Sequence, residues 1–258
     1  MQVRNFCSGI FLVSGSIIGI SGFQNTSNSD KDKNGNISTL RAQSENHKPA
    51  VKITEPVKNS IYPWNKQIPY AIEVSDPEDG DSKYQEILTN EVFVRLKFER
   101  DDRTAAVYLN KKKYEDTVAL NEMIVSNCFN CHAVKSKLAG PSFQEITIRY
   151  PLSKTNLEQL VKHIKNGSTG IWGTEVMPRH PELTDSAIIR MIRWISAFSN
   201  DPGLNYFIGL KGNLILNKPA KNISRGIFIV SAFYTDHGTA TNPERKITGA
   251  DNLLIQAR

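Results

Sequence analysis

Cys128, Cys131 and His132 stand together in the run Cys-Phe-Asn-Cys-His at 128–132. Two thiols three residues apart can add to the two vinyl groups on one edge of a porphyrin. The histidine that follows then lies under the iron with a ring nitrogen free to bind it. This is the attachment signature of one covalent haem c, and covalent attachment retains the group without a large domain around it. Two other chemistries use neighbouring cysteines. A redox dithiol belongs in a βαβ setting, and no such pattern surrounds this motif. A structural zinc site needs a second close pair of Cys or His, and His47, His163, His180 and His237 form none. The third cysteine, Cys7, lies far away near the N-terminus, so the chain is no disulfide-stapled scaffold.

A haem iron bound to histidine commonly takes a sixth ligand, and a methionine there raises its potential. After His132 the sequence offers Met177 and Met191. Met191 falls on the apolar stripe of a helix and reads as core. Met177 lies in Trp172-Gly173-Thr174-Glu175-Val176-Met177-Pro178, a loop bounded by Gly and Pro that can carry a thioether to the iron. It is the expected ligand, with His180 as the rival.

The elements that must position these groups change character along the chain. Leu157, Leu160, Val161 and Ile164 follow a helical period, as do Ile188, Met191, Ile192, Ile195 and Phe198. The first of these helices is expected to start at a Thr155–Glu158 capping box and stop at Gly167; the second is expected to start at Thr184. A further helix is expected over Asp116–Asn127, and a short one after Pro141. On either side the period is two. Val51 and Ile53, then Ile68, Tyr70, Ile72 and Val74, then Val92, Val94, Leu96 and Phe98 read as half-buried strands. Asp76-Pro77-Glu78-Asp79-Gly80 is a turn between them. After Gly203 the β pattern returns, with a central strand over Ile227–Tyr234, apolar on both faces, and a short one at Leu253–Ile255.

The N-terminus has another logic. Arg4 precedes an uncharged apolar run from Phe6 to Phe23, the layout of an export signal. Cleavage near Ser21 and Gly22 would remove Cys7; an uncleaved run would leave a membrane tether. Residues 24–47 are Asn, Ser, Lys, Asp and Gly with little apolar content, which reads as a flexible linker. This stretch helps to explain an apolar fraction of only 39% in 258 residues. Lys and Arg exceed Asp and Glu by 32 to 26, but the basic residues are scattered and not gathered into the stripe that a nucleic-acid binder shows. The helical block is itself close to neutral, so no strongly cationic docking face is expected around a haem edge.

The stretch Cys128–Phe198 resembles a small bacterial class I monohaem cytochrome c. The resemblance rests on the haem motif, Gly140-Pro141, Asn166 to Gly173, Met177-Pro178 and a C-terminal helix, in that order. It implies an all-α domain in which the Pro141 carbonyl accepts the outer N–H of His132. The Trp172 indole would reach a haem propionate, a plain core tryptophan being the alternative. The helix bearing Trp194 would cross the helix before Cys128. The flanking blocks resemble the two halves of a bacterial immunoglobulin-like domain. The expected fold is therefore multidomain α plus β. Its parts are a signal (1–23), a linker (24–47), a first sandwich part (48–113), a cytochrome c domain (114–202) and a second sandwich part (203–258). Two independent small β units are the alternative, although each alone has few strands for stability. The function so implied is that of an exported, periplasmic or cell-envelope electron carrier. It would not be an enzyme, and it would pass single electrons to or from a dehydrogenase or oxidase. A haem enzyme or gas sensor with a labile sixth ligand is one alternative. A carbohydrate- or protein-binding sandwich carrying a cytochrome is the other.

Overall fold

The computed structural model describes residues 45–111, 117–199 and 201–258. The expected signal, and the linker as far as residue 44, lie outside the described residues. Strands β1 (Ala50–Glu55), β2 (Ile61–Tyr62), β3 (Gln67–Asp76), β4 (Gly80–Asp81) and β5 (Phe93–Glu99) come first. Helices α1 (Asp102–Lys111), α2 (Thr117–Val125), α3 (Cys128–Cys131), α4 (Phe143–Arg149), α5 (Lys154–Asn166) and α6 (Asp185–Ser199) follow. Strands β6 (Leu204–Ile208), β7 (Lys211–Ile215), β8 (Gly226–Thr235) and β9 (Thr248–Ala257) complete the order.

The strands form two sheets, each drawing on both sides of the helical block. In one, β3 pairs antiparallel with β1 and also with β7. In the other the order is β2-β9-β8-β5-β6. The period-two pattern of β3 is realised in full: Ile68, Tyr70, Ile72 and Val74 are buried and face Val94, Leu96, Phe228, Val230 and Ile255 across one core. β8 is apolar on both faces because both are covered. Phe228, Val230, Ala232 and Tyr234 enter the core between the sheets. On its other face, Ile227 and Ile229 pack against Ala105 of α1, while Phe233 joins the core of the helical block.

Three sequence expectations change. The linker does not run to residue 47: Asn46 is buried and its Nδ2 donates to Asp236 Oδ2 at 3.0 Å and to the Arg245 carbonyl at 2.6 Å. Both bonds come from the amide nitrogen, so its buried donor is satisfied. The block over 48–113 is not wholly β, because α1 occupies its end. Asp101 caps that helix, accepting from Thr104 N–H at 2.8 Å, and Ala105, Tyr108 and Leu109 supply the helical spacing. The α5 cap is Ser153 and not Thr155, with Asn156 N–H donating to Ser153 Oγ at 3.1 Å.

In the helical block α2 and α6 share one core through Leu120, Met123, Ile188 and Ile192. An Arg190–Glu122 ion pair links the two helices on their exposed side. Thr184 caps α6 as expected, accepting from Ala187 N–H at 3.2 Å. The chain returns to the sandwich at Asp201, which accepts from Lys97 of β5, Nζ–Oδ2 3.0 Å, and from Gly203 N–H at 2.9 Å.

Candidate haem site

α3 is a single turn that opens from Asn127 in a left-handed conformation, φ 57°. It sets Cys128 and Cys131 one helical turn apart, and it ends at His132, whose N–H donates to the Cys128 carbonyl at 3.0 Å. The chain then loops back: Gly140 N–H donates to the Cys131 carbonyl at 2.8 Å. That return brings Gly140 flat against the imidazole. A Cβ on Gly140 would stand 2.5 Å from His132 Cε1, so only glycine fits there.

His132 Nδ1 lies 2.7 Å from the Pro141 carbonyl oxygen. A carbonyl can only accept, so Nδ1 carries the proton and, in the neutral ring, Nε2 keeps its lone pair. Burial holds the ring below its ordinary histidine value, against the opposing pull of the Pro141 bond, and so favours the neutral form that binds metal. Burial also raises the Cys128 thiol to about 11. The Ser142–Glu145 capping box secures the start of α4 just beyond Pro141, with Ser142 N–H donating to Glu145 Oε2 at 2.7 Å.

Met177 is placed by the loop that follows α5. It forms a two-way backbone bridge with Ser168, N–O 2.9 and 3.2 Å. Gly167, at φ 76°, lets that loop approach closely: a Cβ there would stand 2.7 Å from the Met177 carbonyl oxygen. His180 N–H donates to the Ile164 carbonyl at 3.0 Å and fastens the far end of the loop to α5.

Cys128, Cys131, His132, Pro141, Trp172 and Met177 all line one cavity of about 410 Å³, within the ~300–1,000 Å³ typical of cofactor clefts. Its walls also include Met123, Phe143, Ile146, Leu160 and Ile164. α5 has a clear apolar stripe, yet none of its residues is fully buried, because Leu160 and Ile164 face this cavity. An apolar cleft with two thiols at one edge, a neutral imidazole and a thioether fits a covalently held porphyrin. Met191 is buried in the helical core, as expected, and reaches the cavity wall as well. His180 lines the cavity too, with Nδ1 3.0 Å from Glu182 Oε1.

Around Trp172 the structure adds two residues that sequence reasoning did not single out. The Arg149 guanidinium lies 4.7 Å from the Trp172 ring centroid, and Tyr150 meets the same ring at 6.5 Å. Arg149 Nη1 also donates to the Ile171 carbonyl at 3.1 Å. The available signal was the basic residue in the last turn of α4, but its partner is set by a loop fold that no local pattern reports.

These features define a small helical domain built to hold a covalent haem. The family model described as Cytochrome c matches residues 118–199. Cytochrome c-551 of Ectopseudomonas mendocina is 35% identical over 68 residues, which span 26% of this chain and 82% of that protein. Cytochrome c-551 of Azotobacter vinelandii is 37% identical over 68 residues, with the same 26% and 82% coverage. The crystal structure of wild-type Nitrosomonas europaea cytochrome c552 is 30% identical, covers 30% of this chain and 94% of that one, and superposes with a TM-score of 0.28.

By its helical segment the chain belongs to the cytochrome c family. It is a c-type cytochrome that transfers electrons and carries one covalently bound haem c.

Proposed function

We propose that this protein is an exported carrier of single electrons whose haem iron is held between His132 and Met177. The haem supplies a one-electron change between ferric and ferrous iron. Cys128 and Cys131 would anchor the porphyrin. Pro141 would hold the His132 ring in the tautomer that leaves Nε2 for the iron. Trp172, with Arg149 across its face, would meet the propionates. The apolar walls would disfavour the extra charge of the oxidised state and so raise the potential. The observation that carries this reading is that His132, already committed through Nδ1 to Pro141, shares one apolar cavity with Met177.

The proposed domain division is a signal over 1–23, a linker after it, and a cytochrome over 114–202 set within an immunoglobulin-like sandwich over 48–113 and 203–258. Support for a single sandwich comes from β3 pairing with β7 and β5 with β8, both across the helical block. The sandwich would dock or position the haem against a redox partner, a dehydrogenase or an oxidase outside the cytoplasm. That role rests on architecture alone.

The ligand assignment is tested in the holoprotein by the ferric thioether-to-iron charge-transfer band in the far red. Met177→Ala is expected to abolish the band and lower the potential, and His180→Ala to keep both. A wild-type ferric spectrum that lacks this band, and that His180→Ala changes while Met177→Ala does not, would reverse the assignment.

A further inference from the structure

The aromatic residues around His132 do not end at the border of the helical block. The His132 ring stacks on Phe143, centroids 5.6 Å apart and planes 17° from parallel. Phe143 in turn meets two rings edge-on: Phe129 at 5.6 Å and 82°, and Trp194 at 6.4 Å and 89°. Each of these touches the sheet. Phe129 lies 5.6 Å from Phe93 of β5, and Trp194 lies 4.9 Å from Tyr206 of β6. Phe93 is backed by Phe233 of β8 in a stacked pair at 5.7 Å and 16°.

Phe93 and Phe233 are direct cross-strand partners, and Arg95 is paired with Tyr206. Phe93, Phe233 and Tyr206 therefore stand on one face of the sheet, the face turned away from the core between the sheets, and all three are buried in the core of the helical block. Two separate aromatic routes thus leave one sheet and converge on Phe143, the ring that stacks against His132. Such edge-to-face and offset pairs have directional preferences beyond burial, so the sheet constrains the orientation of Phe143 and not only its burial.

The geometry points to Phe93 and Tyr206 as positioning residues for the haem centre: through Phe129 and Trp194 they fix Phe143, and through Phe143 the plane of the His132 imidazole. This inference rests on the reading of His132 as the axial ligand. The groups that orient a metal-binding histidine set its bonding to the iron and the access of water to that side. The sandwich is thereby a working part of the haem centre.

The test uses the full-chain holoprotein with Phe93→Ala, Phe93→Leu, Tyr206→Leu and Tyr206→Phe. Val94→Ala is the control, because Val94 is equally buried but faces the core between the sheets. Three quantities are measured: the spread of haem methyl proton shifts in the ferric state, the reduction potential and the unfolding midpoint. Phe93→Ala and Tyr206→Leu are expected to rearrange the methyl shifts and lower the potential, and Tyr206→Phe, which keeps the ring, to leave the methyl shifts in place. Val94→Ala should lower the unfolding midpoint while leaving the methyl shifts in place. If Phe93→Ala yields no holoprotein, Phe93→Leu, which keeps bulk but loses the ring, decides the matter. Variants that lose stability as Val94→Ala does, with shifts and potential unmoved, would overturn the inference. A wild-type protein without a low-spin haem would instead overturn the paired His132 and Met177 ligation of the proposed function.

Discussion

Gly140 shows how little freedom the haem motif leaves around it. Its missing side chain is where the His132 ring stands, and a methyl group there would press on the ring at 2.5 Å. The ring cannot retreat without breaking its Nδ1 bond to Pro141. Gly140→Ala is therefore expected to cut the yield of covalently loaded protein, on the order of tenfold by analogy with other losses of ligand-orienting groups. Haem per polypeptide, by pyridine haemochrome, measures it; loading equal to wild type would show that the ring has another place to go. At this scale the sequence was most informative. Cys128, Cys131 and His132 declare their chemistry by spacing alone. Met177 was legible from its loop bounded by Gly and Pro, whereas Pro141 and Trp172 were legible only through the family pattern. Arg149 was illegible because its partner Trp172 reaches it through the loop after α5, and neither residue's neighbours in sequence announce that contact.

Among elements, the end of the sandwich holds an interaction independent of the haem. The turn between β3 and β4 and the stretch after β8 meet at His237. Its Nδ1 lies 3.1 Å from Asp79 Oδ1, and its Nε2 lies 3.0 Å from Glu91 Oε1. Tyr234 donates to the same Asp79 carboxylate at 2.7 Å. Burial lowers His237, but the Glu91 hydrogen bond and charge, with Asp79, outweigh it and raise the ring above the ordinary 6.5. A histidine raised in the folded state adds stability that is complete below its ordinary value and is lost as pH climbs through the raised one. His237→Gln should therefore lower the melting temperature more at about pH 5.5 than at about pH 9. An equal loss at both pH values would show that the histidine acts as a neutral hydrogen-bonding group. The strands that bring these residues together were readable from their alternation, most clearly in β3. Their register was not, because β3–β7 and β5–β8 pairings join segments on opposite sides of the helical block. α1 escaped notice because its few apolar residues follow directly on a strong strand signal, and the N-cap of α5 was misplaced because Ser153 and Thr155 compete as capping residues within the same three positions.

For the whole molecule, the composition has a structural reason. The modest apolar fraction is spread over a polar N-terminal stretch, a sandwich with its own core and a helical block whose α5 turns its apolar face to a cavity. The two cores meet at β5, β6 and β8, where β8 has no solvent-facing side, so the helical block is packed onto the sheet and not merely strung between strands. The membership in the cytochrome c family covers the helical block alone, while the sandwich supplies the surface on which it is mounted. The central claim is that a single haem is joined through both cysteines of this block. Its most direct measurement is the intact mass of the full chain, produced in a bacterial host that matures c-type cytochromes and recovered from outside the cytoplasm. The expected mass is that of the processed polypeptide plus one haem, retained after denaturation and lost in a Cys128→Ala, Cys131→Ala double variant. A colourless product with the mass of the bare polypeptide would contradict the account.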